Sequence, residues 1–120
     1  MKILIVEPGR APYRAKIEDR LEIMQFIVGG HIEAVMPFSD AVVLVCNEEG
    51  MLLELPFNRM VRWDMPIFGT FFLCGVGEED FADLPDEMAE KYERELAREW
   101  LGEANETKKS DLPVCASQGS

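Results

Sequence analysis

Few side chains in this sequence combine a type and a spacing that could do covalent or metal chemistry. His31 is the only histidine, and no cysteine or second histidine stands at ligand spacing from it, so no zinc site is spelled out. The three cysteines, Cys46, Cys74 and Cys115, are odd in number and form no C-x-x-C pair. That argues against a secreted disulfide scaffold and for a reducing compartment. A nucleophilic pair of His31 with Cys46 or Cys74 would need a thiol in an accessible, electropositive setting. Both cysteines instead sit inside apolar runs (Val45-Cys46, Leu73-Cys74), where the thiol behaves as a small hydrophobe. Gly29-Gly30 ends a helical pattern instead of opening one. Gly69 and Gly75-Val76-Gly77 lack the lysine of a P-loop, so no phosphate cradle is read. The carboxylate pairs Glu48-Glu49 and Glu78-Glu79-Asp80 bring no partner that would tune a proton-transfer group, and no EF-hand pattern supports a cation at 78–83. The expectation is a protein without catalytic residues, metal or cofactor.

Two kinds of recognition feature remain. One is polar and aromatic: Arg10, Tyr13 and Arg14 in a loop after the first strand, Asn47 and Glu48 at a turn, and Asn58, Arg59, Arg62 and Trp63 in an irregular stretch. Loops at strand ends often carry binding sites, and arginine with an aromatic is a common anchor pair. The same residue types also serve turns. The other feature is an acidic helix bearing Glu87, Glu90, Glu93, Glu95 and Glu99, relieved only by Lys91, Arg94 and Arg98. Such a face either solvates the helix or presents a negative surface to a basic groove on another protein.

The elements that must position these residues follow from periodicity. Lys2 to Glu7 reads as a strand whose near-continuous apolarity suits burial on both faces, closed by Pro8-Gly9. Ile17, Leu21, Met24 and Val28 recur at helical spacing, so a helix is expected from about Lys16 to Val28, stopped by Gly29-Gly30. Strands are expected at 31–36, 41–47, 51–55 and 67–76, the middle two joined as a hairpin across Asn47-Glu48-Glu49-Gly50. Gly69 and Gly75 mark a bulge or a close backbone approach. Residues 77–83 read as an acidic loop. Met88, Tyr92, Leu96 and Trp100 then line one stripe of a helix beginning near Leu84-Pro85-Asp86, with Asp83 as N-cap, and ending at Gly102. The order β-α-β-β-β-β-α implies an α+β domain over 1–102, with a mixed or antiparallel sheet of about five strands and two helices, followed by a polar, mobile tail over 103–120.

At 120 residues with 48% hydrophobic side chains, one domain can build its core without disulfides or metal. Apolar runs fall well short of a membrane span and no signal-peptide core opens the chain, so a cytoplasmic location is expected. The formal net charge of -11 is uneven. Residues 1–77 hold 10 acidic and 7 basic side chains, whereas residues 78–106 hold 12 acidic and 3 basic. A chain so charged is repelled by nucleic acid and by anionic membranes.

Val6-Glu7-Pro8-Gly9, Pro12-Tyr13, Val28-Gly29-Gly30 with Ile32-Glu33, Cys46-Asn47-Glu48-Glu49-Gly50, Asn58-Arg59 and Gly69-Thr70-Phe71 occur in that order. The pattern, spanning roughly residues 2–95, resembles a domain-of-unknown-function family of phages, plasmids and conjugative elements of Firmicutes. The resemblance implies a mobile-element accessory protein. By analogy with other small acidic proteins of such elements, it implies a non-enzymatic anti-defence inhibitor, of anti-CRISPR or anti-restriction type, that binds a nucleic-acid-handling host protein. Two alternatives stand beside it. One is a binder of a small molecule or nucleotide signal with Tyr13, Asn47, Asn58 and Arg59 in one pocket. The other is a regulatory dimer of the element.

Overall fold

The computed structural model describes residues 1–105, with side-chain detail through Ala97. The described chain forms β1 (Lys2–Val6), β2 (Tyr13–Lys16), α1 (Leu21–Val28), β3 (Ile32–Val35), β4 (Val42–Asn47), β5 (Phe57–Arg62), β6 (Met65–Phe68), β7 (Phe71–Val76), β8 (Phe81–Ala82) and α2 (Asp86–Asn105). Its class is α+β with an antiparallel sheet. The main sheet runs β2-β1-β7-β4-β3, with β8 added to the end of β7, and β5-β6 form a separate ribbon.

Period-two alternation sorts the sheet's side chains onto two faces. Leu4, Val6, Leu44, Cys46, Phe71 and Leu73 point to one face, where Ala89, Tyr92 and Leu96 of α2 and Ile67 of the β5-β6 ribbon cover them. Ile3, Ile5, Val43, Val45, Phe72 and Cys74 point to the other, where Met24 and Val28 of α1 cover them. The apolar runs of β1, β4 and β7 thus reflect burial on both faces, as such runs require.

Several expected elements differ. The stretch expected as a loop at 10–14 holds β2, and α1 begins at Leu21 instead of Lys16. The reason is pairing with β1: the Ile17 amide donates to the Met1 carbonyl and the Met1 ammonium donates to the Ile17 carbonyl. Arg20 stays extended at φ -136°.

The expected hairpin across 47–50 is absent, and Met51–Glu54 form turns. Both edges of β4 are already taken by β3 and β7, so no edge is left for residues 51–55. The chain coils there instead, with Leu53 donating to Glu49, Leu55 donating to Gly50, and Glu54 at φ 58°. The hairpin lies later, in the stretch read as irregular, where β5 and β6 pair with register shifts near Arg59 and Arg62.

The single strand expected at 67–76 is broken at Gly69, whose φ of 84° turns β6 into β7. Gly75 meets the other expectation, a close approach, because a Cβ there would strike the Asp83 carbonyl. Within the expected loop 77–83, Phe81 and Ala82 pair with Val76 and Gly75. Asp83 accepts the Lys2 amide at 2.9 Å. α2 continues through Gly102 to Asn105. Glycine inside a helix costs about 1 kcal/mol relative to alanine, a penalty packing can override. The tail from 106, Cys115 and the side chains of Glu99 and Trp100 lie outside the described residues.

Candidate functional site

At the C-terminal end of β1 a polar network gathers Tyr13, Asn58 and Arg59. The Tyr13 hydroxyl donates to Glu7 at 2.7 Å and the Arg10 guanidinium donates to the same carboxylate at 2.9 Å. These two bonds hold the Glu7 carboxyl below the usual range, the tyrosine contributing most. The same bond raises the Tyr13 phenol.

Behind this exposed layer Arg59 is 0% exposed. Its guanidinium donates to the backbone carbonyls of Arg10 (2.7 Å) and Leu96 (3.2 Å), and to Asn58 Oδ1 (2.8 Å). Asn58 Nδ2 donates to the carbonyls of Val6 (2.9 Å) and Gly69 (2.8 Å). Asn58 and Arg59 therefore tie the β5-β6 ribbon to β1, the 7–10 turn and α2. As buried residues they present no surface, which corrects the expectation of a contact there. A fork of five donors can be buried where carbonyl oxygens converge on it.

Asn47 is also buried. Its Nδ2 donates to the Val28 carbonyl at 3.1 Å and its Oδ1 accepts the Glu49 amide at 2.7 Å. This clamps the end of α1 to the turn that follows β4 and leaves Glu48 exposed. Trp63 sits at the tip of the β5-β6 ribbon, 87% exposed. Tyr13, Asn58 and Arg59 line none of three cavities formed by described residues beside β2, between β3 and β6 and beside the end of α1; Asn47 borders one. The four residues considered for a shared pocket are not brought together in any of these three. Cys46 and Cys74 are buried, and desolvation pushes their thiols up to about 11 and about 12.

Through Ala97 the acidic helix keeps its expected layout. Ala89, Tyr92 and Leu96 face the sheet, and Glu87, Glu90 and Glu95 are exposed. The carboxylates differ in their ties. Glu93 accepts from Arg14 of β2 at 3.0 Å, and Glu90 lies 3.6 Å from Arg94. Among the described residues Glu87 and Glu95 have no ion pair. Glu78, Glu79 and Asp80, on the turn before β8, are also all exposed.

The helix is pinned by Asp40, which accepts from Lys91 Nζ (2.6 Å) and the Tyr92 hydroxyl (2.8 Å). Those two bonds, Lys91's the larger, lower the Asp40 carboxyl. Pattern reading did not anticipate the Arg14–Glu93 and Asp40–Lys91 ties or the buried role of Arg59, because each joins segments far apart in the chain.

Among the described residues no group of three or more His, Cys, Asp or Glu is placed to hold a metal ion, and no helix is long and apolar enough to cross a membrane. Compared with known proteins, residues 1–97 match the family described as Domain of unknown function (DUF3846). No curated protein and no solved structure matches the chain.

Proposed function

We propose that this chain, which belongs to the DUF3846 family of domains of unknown function, is a non-enzymatic cytoplasmic accessory protein of a phage or plasmid that inhibits a nucleic-acid-handling defence protein of its host. The observation that carries the reading is the negative surface of α2. Exposed Glu87 and Glu95 have no ion pair among the described residues, and Glu78, Glu79 and Asp80 add three exposed carboxylates on the turn before β8. A surface of one sign raises encounter rates with a partner of the opposite sign and repels nucleic acid itself. A basic groove that holds nucleic acid is such a partner, and occupying it blocks the groove's function. The anti-CRISPR or anti-restriction type follows from the resemblance to phage and plasmid proteins.

The test is an affinity pull-down from host lysate at low and moderate salt, comparing wild type with an E87K/E90K/E95K variant. Glu93 is left intact because its reversal would also break the tie to Arg14. The expected outcome is capture of one nucleic-acid-handling protein by wild type, lost with rising salt and lost in the variant. Equal capture by both would remove the electrostatic basis, and no protein partner in either would overturn the inhibitor reading.

A further inference from the structure

The geometry points to the notch between β3 and β6 as an anchor site for an arginine side chain of a protein partner. The notch encloses about 230 Å³. Its walls are apolar: Val35 on β3, Met51 on the turn after β4, and Met65, Pro66 and Phe68 on β6. Glu33 and Glu48 are its charged lining residues. Glu33 lies directly across from Cys46 in the β3-β4 register, and Glu48 stands on the turn that follows β4, so strand and turn each bring a carboxylate to the lining of one notch. Neither has an ion pair among the described residues. The Cys46 thiol lines the notch, 6% exposed and without a hydrogen-bond partner among the described residues.

The site is built and held. Gly50 lets the turn close against β6, since a Cβ there would come within 2.6 Å of the Phe68 carbonyl. Asn47 fixes the turn that carries Glu48 through its bonds to Val28 and Glu49. The larger cavity beside β2, about 330 Å³, differs in charge. Its Lys2 and Arg14 already face Asp86 and Glu93 at 3.7 and 3.0 Å.

An apolar notch with two carboxylates at its rim and no cation of its own suits a guest with an apolar stem and a cationic head. Arginine fits better than lysine: its planar fork can address two carboxylates, and it is less strongly hydrated than an ammonium. Methionine walls adapt to such a stem, and Phe68 adds an aromatic side chain to the lining. Arginines in pockets of this kind are frequent anchors of protein interfaces.

The inference rests on the proposed function only in taking the partner to be a protein, and its test needs no partner. The protein, labelled with nitrogen-15, is titrated with N-acetyl-arginine N-methylamide and, separately, with the neutral citrulline analogue of the same shape. Saturable shifts of the amides at 33–35, 46–51 and 65–68 are expected for arginine. Affinity should fall on the order of tenfold or more for citrulline and for the E33Q/E48Q variant. The absence of saturable shifts, equal binding of the two analogues, or binding unchanged in E33Q/E48Q would overturn the assignment. The α2 charge reversals do not touch the notch, so loss of pull-down with intact arginine binding is distinguishable from the converse.

Discussion

Arg59 stands beside asparagine in a stretch with two prolines and an exposed tryptophan, and by residue type it reads as a surface contact. The fold uses it as a buried fork joining Arg10, Asn58 and Leu96. Removing it takes a buried donor away from the Arg10 and Leu96 carbonyls and from Asn58 Oδ1. Arg59→Ala is expected to lower stability by about 3 kcal/mol or more, read from the urea unfolding midpoint. Arg59→Lys should not restore it, because one ammonium cannot span the fork's acceptors. The two described cysteines met their expectation as hydrophobes, and their titration makes a second test. Folded Cys46 and Cys74 titrate at about 11 and about 12, above the ordinary 9.0. The folded chain therefore keeps protons that the unfolded chain loses as pH rises. Their contribution to stability is complete below the ordinary thiol value and is lost as pH climbs from there toward the folded values. Stability measured from about pH 8 upward should fall, and fall less steeply in a C46A/C74A variant.

At the scale of elements, the placement of α2 depends on residues outside it. Asp40 accepts from both Lys91 and Tyr92, and Tyr92 is buried and packed at a tilt against Phe38 at a centroid separation of 4.6 Å. Asp40→Ala strands the Tyr92 hydroxyl and should cost about 1–2 kcal/mol in thermal or urea unfolding. In a Tyr92→Phe background the same substitution should cost less, because the stranded group is gone. An additive cycle would show that the hydroxyl does not hold the helix. Gly50 tests the turn after β4: Gly50→Ala would push a methyl onto the Phe68 carbonyl. It should destabilise by about 1–3 kcal/mol and shift the amides of β6 in a nitrogen-15 spectrum. The β5-β6 ribbon escaped pattern reading for a physical reason. Its buried positions include Asn58 and Arg59, and its register slips between Phe57 and Arg59 and again between Met60 and Arg62, so polar residues occupy the interior and the alternation that marks a strand is lost.

For the whole molecule, charge is the property most directly open to experiment. Glu87, Glu90 and Glu95 are exposed and carry no packing role, whereas Glu93 bridges α2 to β2 through Arg14. The E87K/E90K/E95K variant should therefore keep its unfolding midpoint within about 0.5 kcal/mol of wild type while losing salt-sensitive partner capture. A large loss of stability would show that the acidic face is structural. By itself, the sequence determined the α+β class, the doubly buried first strand β1 and, among the described residues, the inward stripe of α2 and the exposure of Glu87, Glu90 and Glu95. Each follows from hydrophobic period and local charge, which neighbouring residues already encode. Only the tertiary structure decided that β4 is enclosed by β3 and β7, that residues 51–55 therefore cannot return as a strand, and that Asn58 and Arg59 are buried. It also decided that Glu33 and Glu48 share a notch with Met51 and Met65. These outcomes depend on which strands compete for an edge and on which distant carbonyls converge on a donor, and no run of consecutive residues carries that information.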